Sequence, residues 1–219
     1  MNIYVSVAKF IKSGIIKSKE VLGLEQAKKR DHKIYITDIA INKISKSNVS
    51  VLSKIQNDKI DKFHRALLKI SKNDNNSNEV AYLFDLQTDT DVYQLGSEHK
   101  VNILLNPIAY SMMKNAKDNS LFLAHNHPST QDFSYSDLGV LLLNDSLAGI
   151  SVVSNTGDVH ILFKSDNYSF DKAYEVLSKI RNKYNDYDDN IDKAIVADFL
   201  KICKKAGILE YWVKENNYE

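Results

Sequence analysis

The stretch Leu121-Phe-Leu-Ala-His125-Asn-His127-Pro-Ser-Thr-Gln-Asp-Phe-Ser134-Tyr-Ser-Asp137-Leu-Gly-Val140 decides the fold. Its apolar opening, SLFLAH (120–125), has the length and composition of a buried strand. Ser134-x-x-Asp137 is a capping box, so a helix is expected from Ser134 to about Asp145, with Phe133 and Leu138 placed as a hydrophobic staple. A strand that runs through a short turn into a helix is the unit of an α/β protein. Residues i and i+2 of a strand share a face, so His125 and His127 point the same way at its end. Pro128 disfavours helix at His127 and fixes the backbone as the chain leaves. Asp137 follows ten residues after His127, in the first helical turn. Two neutral imidazoles and one carboxylate make a catalytic zinc set, because a fourth position is left for water.

Working outward, EVAYLFDL (79–86) and DVYQL (91–95) are strand-like, with QTDTD as the turn between them. NPIAYSMMKNAK (106–117) is expected to be a helix with Pro107 in its first turn. GISVVSN (149–155) and DVHILFK (158–164) form a hairpin around Thr156-Gly157. Helices are expected at 169–184 and 190–206. Upstream, KIYITDI (33–39) suggests a short strand leading into a helix. Residues 51–72 carry a helical stripe of Leu52, Ile55, Ile60, Phe63, Leu67 and Leu68, and residues 1–30 an amphipathic one. The polar break NDNNSN (73–78) is taken as the main boundary. The expected organisation is a helical N-terminal region (1–74), a core domain (75–165) and a C-terminal helical extension (166–219). The fold class is α/β (α+β), a central mixed sheet flanked by helices.

Composition narrows the function classes. Lys+Arg (29) and Asp+Glu (28) nearly cancel, for a net charge of +1. The whole chain therefore carries no electrostatic case for nucleic acid or an anionic membrane. A single cysteine, Cys203, precludes an internal disulfide and fits a reducing compartment. Lys9, Lys12 and Lys17 interrupt the apolar residues of the N-terminus, so neither a signal peptide nor a membrane span is expected, and a cytoplasmic location is.

The pattern H-N-H-P, five residues, then S-x-x-D resembles the JAMM motif of JAB/MPN metallopeptidases, closest to the bacterial RadC-like and phage-associated branch. The similarity extends upstream through S-N-E-V-A (77–81) and G-S-E-H-K-V-N (96–102), and spans about 75–165. The gap between Pro128 and Ser134 is shorter than in RadC proper or in the eukaryotic deubiquitinases. The resemblance implies zinc on His125, His127 and Asp137. It implies Glu79 as the base that serves the attacking water, and Ser134 as the donor to the carbonyl oxygen as it becomes an oxyanion. Glu98 is the competing base, but it lies in a connection beside His99. Implied partners are a protein or peptide substrate, such as a ubiquitin-like conjugate or a phage structural protein. The alternatives are a non-catalytic interaction or phage-assembly module, and a RadC-like role near DNA, which the charge balance does not support.

The remaining candidates carry less. His160 alternates with apolar residues on a strand and is read as structural. His64 sits in a charged helix and is read as solvated or capping. His32 and His99 lack a metal-compatible partner. Cys203 is expected to be a buried thiol, and Lys28, Lys29 and Arg30 belong to a solvated charged stretch.

Overall fold

The computed structural model describes residues 33–44, 46–184 and 189–214. The expected helix at 1–30, the basic cluster Lys28–Arg30 and His32 lie outside the described residues. Two helices open the fold, the short α1 (Asp38–Lys43) and the 21-residue α2 (Lys54–Asp74). There follow β1 (Val80–Asp85), β2 (Asp91–Leu95), a 3₁₀ turn (Ile103–Leu105), α3 (Pro107–Asn115), β3 (Leu121–His127), α4 (Tyr135–Leu143), β4 (Leu147–Ser154) and β5 (Val159–Lys164). The C-terminal part is α5 (Phe170–Arg181), α6 (Asp189–Lys205) and β6 (Leu209–Lys214). The strands form one six-stranded sheet in the order β2-β1-β3-β4-β5-β6. Only the β3–β4 pair is parallel. A parallel pair needs a crossover, and α4 is that crossover. Segment 128–134 must therefore leave the carboxyl end of β3 and turn back to start α4.

Strand alternation sorts the side chains between two faces. Ala81, Leu83, Leu121, Leu123, Ile150, Val152 and Leu162 pack under Leu138 and Leu141 of α4, and under α5 and α6 through Ile180, Ile195 and Phe199. Val80, Tyr82, Phe84, Phe122, Ala124, Val153 and Ile161 face the other way, against Ile60, Phe63, Leu67 and Leu68 of α2. On that second face, rings of Phe63, Phe84, Phe122 and Phe163 run in sequence across the sheet. The polar break at 73–78 is the turn that folds α2 onto the sheet. Asn76 and Ser77 take left-handed backbone angles (φ 49° and 58°), and the Ser77 N–H closes on the Ser71 carbonyl at 2.7 Å. The segments on either side of residue 74, and of residue 165, share these cores.

Several elements depart from expectation. Residues 33–37 form no strand. The buried stripe of α2 begins at Ile60, since Ile55 is exposed. Strand β6 was not expected in the C-terminal helical extension and pairs with β5; Leu209 and Tyr211 face the first core and Trp212 the second. His64 is not solvated. It is fully buried, its Nε2 lies 2.8 Å from Ser151 Oγ, and its Nδ1 has no partner. Burial, with Arg65 adding a little, pushes it down to about 3, so it stays neutral inside the second core. His160 is structural, 3.0 Å from Tyr211 Oη. Cys203 is buried, which pushes its thiol up to about 12. No described helix is long and apolar enough to cross a membrane.

The β3–β4 ladder shifts by one residue between Leu121 and Phe122, so Ala148 is an extra residue on β4. Gly149 then lies between two rings: a Cβ there would stand 2.6 Å from Phe163 Cδ2, 2.8 Å from Phe122 Cε2 and 2.8 Å from the Leu162 carbonyl. Gly149→Ala is expected to destabilise the protein by about 1–3 kcal/mol, measured by chemical denaturation. An unchanged midpoint would contradict this packing.

Candidate metal centre

His125 and His127 extend from β3 on the face shared with Leu123, and α4 brings Asp137 over them. The ladder pairs His125 with Ala81 on one side and Val152 on the other, and His127 with Ser154. Both histidines are thus held by sheet hydrogen bonds on rigid backbone. Asp137 is held differently. Its Oδ2 accepts from the Ser134 N–H and the Ser134 hydroxyl, both at 2.7 Å. The Asp137 N–H returns a bond to Ser134 Oγ at 3.2 Å. The expected capping box is therefore real, and it aims the carboxylate at the histidines. Phe133 and Leu138 are both buried in the core beneath.

The three ligand atoms converge. His125 Nε2 lies 3.1 Å from His127 Nε2 and 3.2 Å from Asp137 Oδ1, and His127 Nε2 lies 3.8 Å from Asp137 Oδ2. Ligands about 2.0–2.1 Å from a tetrahedral zinc stand about 3.3–3.4 Å apart; His125 Nε2 is near that spacing from His127 Nε2 and from Asp137 Oδ1, while His127 meets the other carboxylate oxygen at 3.8 Å. The chemistry of the donors makes the same point. His127 Nδ1 is 3.2 Å from the Gln131 carbonyl. A carbonyl only accepts, so Nδ1 carries the proton and the Nε2 lone pair faces His125. Two imidazole nitrogens pointed at each other in a nearly dry site need a cation or a shared proton between them. Among the described residues these three side chains form the only group of three or more with metal-ligand character.

Charge follows from this crowding. Burial, and then the neighbouring His125, push His127 down to about 4 against the opposing pull of Asp137 and the Gln131 and Asp132 carbonyls. His127 is accordingly neutral at ordinary pH. Burial also disfavours the charged form of His125, but the Asp137 charge and hydrogen bond, with Glu79, outweigh it and raise its pKa. Burial works against the Asp137 carboxylate, yet His125, His127 and Ser134 hold it well below the usual carboxylate range.

Glu79 immediately precedes β1 and is 9% exposed. Continuing the register of Ala81 with His125 by two residues sets it across from His127. Burial pushes its carboxyl up to about 7; His125 opposes the shift, Asp137 adds to it, and a hydrogen bond from the Val101 N–H opposes it. Glu98, the competing candidate, is substantially exposed and lies 3.7 Å from His99. Ser134 sits at the rim with its hydroxyl proton engaged by Asp137. Sequence reasoning did not single out Asn126 or Asn155, which lie behind the histidines and hydrogen-bond each other at 2.8 Å. The signal was the alternation itself, since a residue between two same-face ligands must point into the opposite core.

Comparison with protein-family models, curated proteins and solved structures found no match to the chain.

A raised carboxyl pKa has a sign. Glu79 contributes stability in full below about 4.5, its unfolded value, and that contribution is lost as pH rises through about 7. In metal-free protein, Glu79→Gln should match wild type near pH 4 and exceed it by up to about 3 kcal/mol at pH 8. Denaturation midpoints across that range measure it, and parallel pH profiles for the two proteins would contradict it.

Proposed function

We propose that this chain is a zinc-dependent metallopeptidase or isopeptidase of the JAB/MPN (JAMM) type. One observation carries the reading: two imidazole nitrogens and a carboxylate converge at a strand end, beside a buried carboxyl whose pKa burial pushes up to about 7. A metal ligand set alone is compatible with a structural site. A proton-transfer group poised near 7 next to it is what hydrolysis requires. The intact ligand set and the order strand, H-N-H-P turn, capped helix support the same reading.

Zinc on His125, His127 and Asp137 would supply Lewis acidity, polarising a carbonyl and acidifying water. Glu79, as carboxylate, takes a proton from the attacking water. Attack on the carbonyl carbon forms the new C–O bond. As the C–N bond breaks, Glu79 gives its proton to the departing nitrogen and is regenerated. Ser134 donates to the carbonyl oxygen as negative charge develops there, exchanging its Asp137 bond for the substrate. Such a donor contributes on the order of 3 kcal/mol in other hydrolases. His127 stays correctly oriented through its Gln131 bond, and Asp137 through the backbone half of the cap. The substrate class is a protein tail, a ubiquitin-like conjugate or a phage structural protein.

Purified protein should bind one zinc per chain and release peptide or isopeptide fragments. Glu79→Gln should keep the zinc and lose about 10²–10⁴-fold in rate. His125→Ala should lose the zinc. Cleavage by Glu79→Gln at the wild-type rate removes Glu79 as the base. Zinc binding without cleavage of any of these substrate classes leaves a non-catalytic module.

A further inference from the structure

One fully buried side chain joins the strand that carries the ligands to the residue read as the base. Asn126 lies between the histidines and points to the opposite face of the sheet. Its Oδ1 accepts from the Val80 N–H at 2.7 Å. Its Nδ2 donates to the Asn78 carbonyl at 3.2 Å, as well as to Asn155 Oδ1 and Ser71 Oγ. Asn78 and Val80 are the two residues that flank Glu79. The regular β1–β3 ladder ends at Ala81 with His125; beyond it the Asn126 side chain takes over the pairing.

The backbone of Glu79 itself is fixed from the other side. Its N–H donates to the Ser97 carbonyl at 3.0 Å, and its carbonyl accepts from the Gly96 N–H at 2.8 Å and from Asn75 Nδ2 at 2.8 Å. Val80 faces the second core, so alternation turns Glu79 toward the histidines. Both neighbours of Glu79 are gripped from behind by the residue that separates the two ligands. Any shift of β3 is thereby passed to the start of β1.

We infer that Asn126 is a positioning residue that sets the place of Glu79 relative to His125 and His127. The inference rests on the reading of Glu79 as the base. It explains why a buried amide with its full set of partners occupies a position where any apolar residue would fill the core: an apolar side chain leaves the Val80 N–H without its acceptor and the Asn78 carbonyl with only the Ser71 hydroxyl, and an unpaired buried N–H is costly.

The test compares zinc-loaded Asn126→Ala with Asn155→Ala. The second variant removes another member of the same network but leaves the bonds from Asn126 to Asn78 and Val80. Crystal structures of both and the cleavage rate are read together. In Asn126→Ala the Glu79 carboxylate should move off the ligand face while one zinc per chain is retained, and the rate should fall about 10²-fold, as a misplacement of about 1 Å can produce. In Asn155→Ala the carboxylate should stay in place and the rate should hold within a few-fold. A Glu79 carboxylate unmoved in Asn126→Ala, or displaced equally in both, overturns the inference. Should Asn126→Ala not fold, Asn126→Ser provides the same comparison with a smaller void. If wild type cleaves nothing, the hydrolytic reading fails, and the position of Glu79 still decides the role of Asn126.

Discussion

Two imidazole nitrogens held 3.1 Å apart in a site that water barely reaches are the constraint on which the rest depends. Nitrogens at that distance are compatible only with a proton or a cation between them, and the raised pKa of His125, set 3.2 Å from Asp137 Oδ1, supplies that proton in the metal-free site. Sheet pairing on both sides of β3 fixes the backbone, and the Gln131 carbonyl fixes the His127 tautomer. The His127 ring cannot turn away without breaking its Gln131 bond. Asp137 balances that charge, with its carboxylate set against both rings. A divalent cation would take the proton's place and turn the three crowded donors into ligands of one centre. Metal binding and stability are then coupled in the ordinary thermodynamic sense.

The fold serves that constraint from two directions. The parallel β3–β4 pair demands a crossover, and the crossover helix begins with the Ser134–Asp137 cap. The third donor therefore arrives on an element whose start is fixed by its own backbone bonds. The cap and the ligand are the same carboxylate used twice, one oxygen toward Ser134 and the other toward His125. Behind the sheet, the turn after α2 and the Asn126 amide tie the start of β1 to the end of β3. Glu79 is thus placed by backbone on one side and by an amide side chain on the other. Its burial raises its pKa toward neutrality, which costs stability at high pH.

Much of this was legible in the sequence because it is local. The strand end, the i and i+2 histidines, the proline and the S-x-x-D cap occupy 13 consecutive positions, 125–137, and each follows from backbone geometry. Glu79 could be placed only by resemblance, since its approach to His127 depends on long-range strand pairing. Strand β6 was missed because its short run LEYWVK follows a long amphipathic helix, and its pairing partner β5 lies about 50 residues upstream. His64 was misjudged because charged neighbours on α2 suggested solvent, whereas its own face meets Ser151 in the core. Ile55 was placed in the stripe by period alone, although it precedes the part of α2 that meets the sheet. In each case tertiary pairing, invisible to local pattern, overrode the expectation.

X-ray absorption at the zinc edge of protein loaded with one equivalent of zinc tests the central claim most directly. The account predicts four nitrogen and oxygen neighbours at about 2.0–2.1 Å, with multiple-scattering features of two imidazoles and no sulfur. A spectrum matching zinc in buffer, a sulfur shell from Cys203, or fewer than two imidazoles would contradict it.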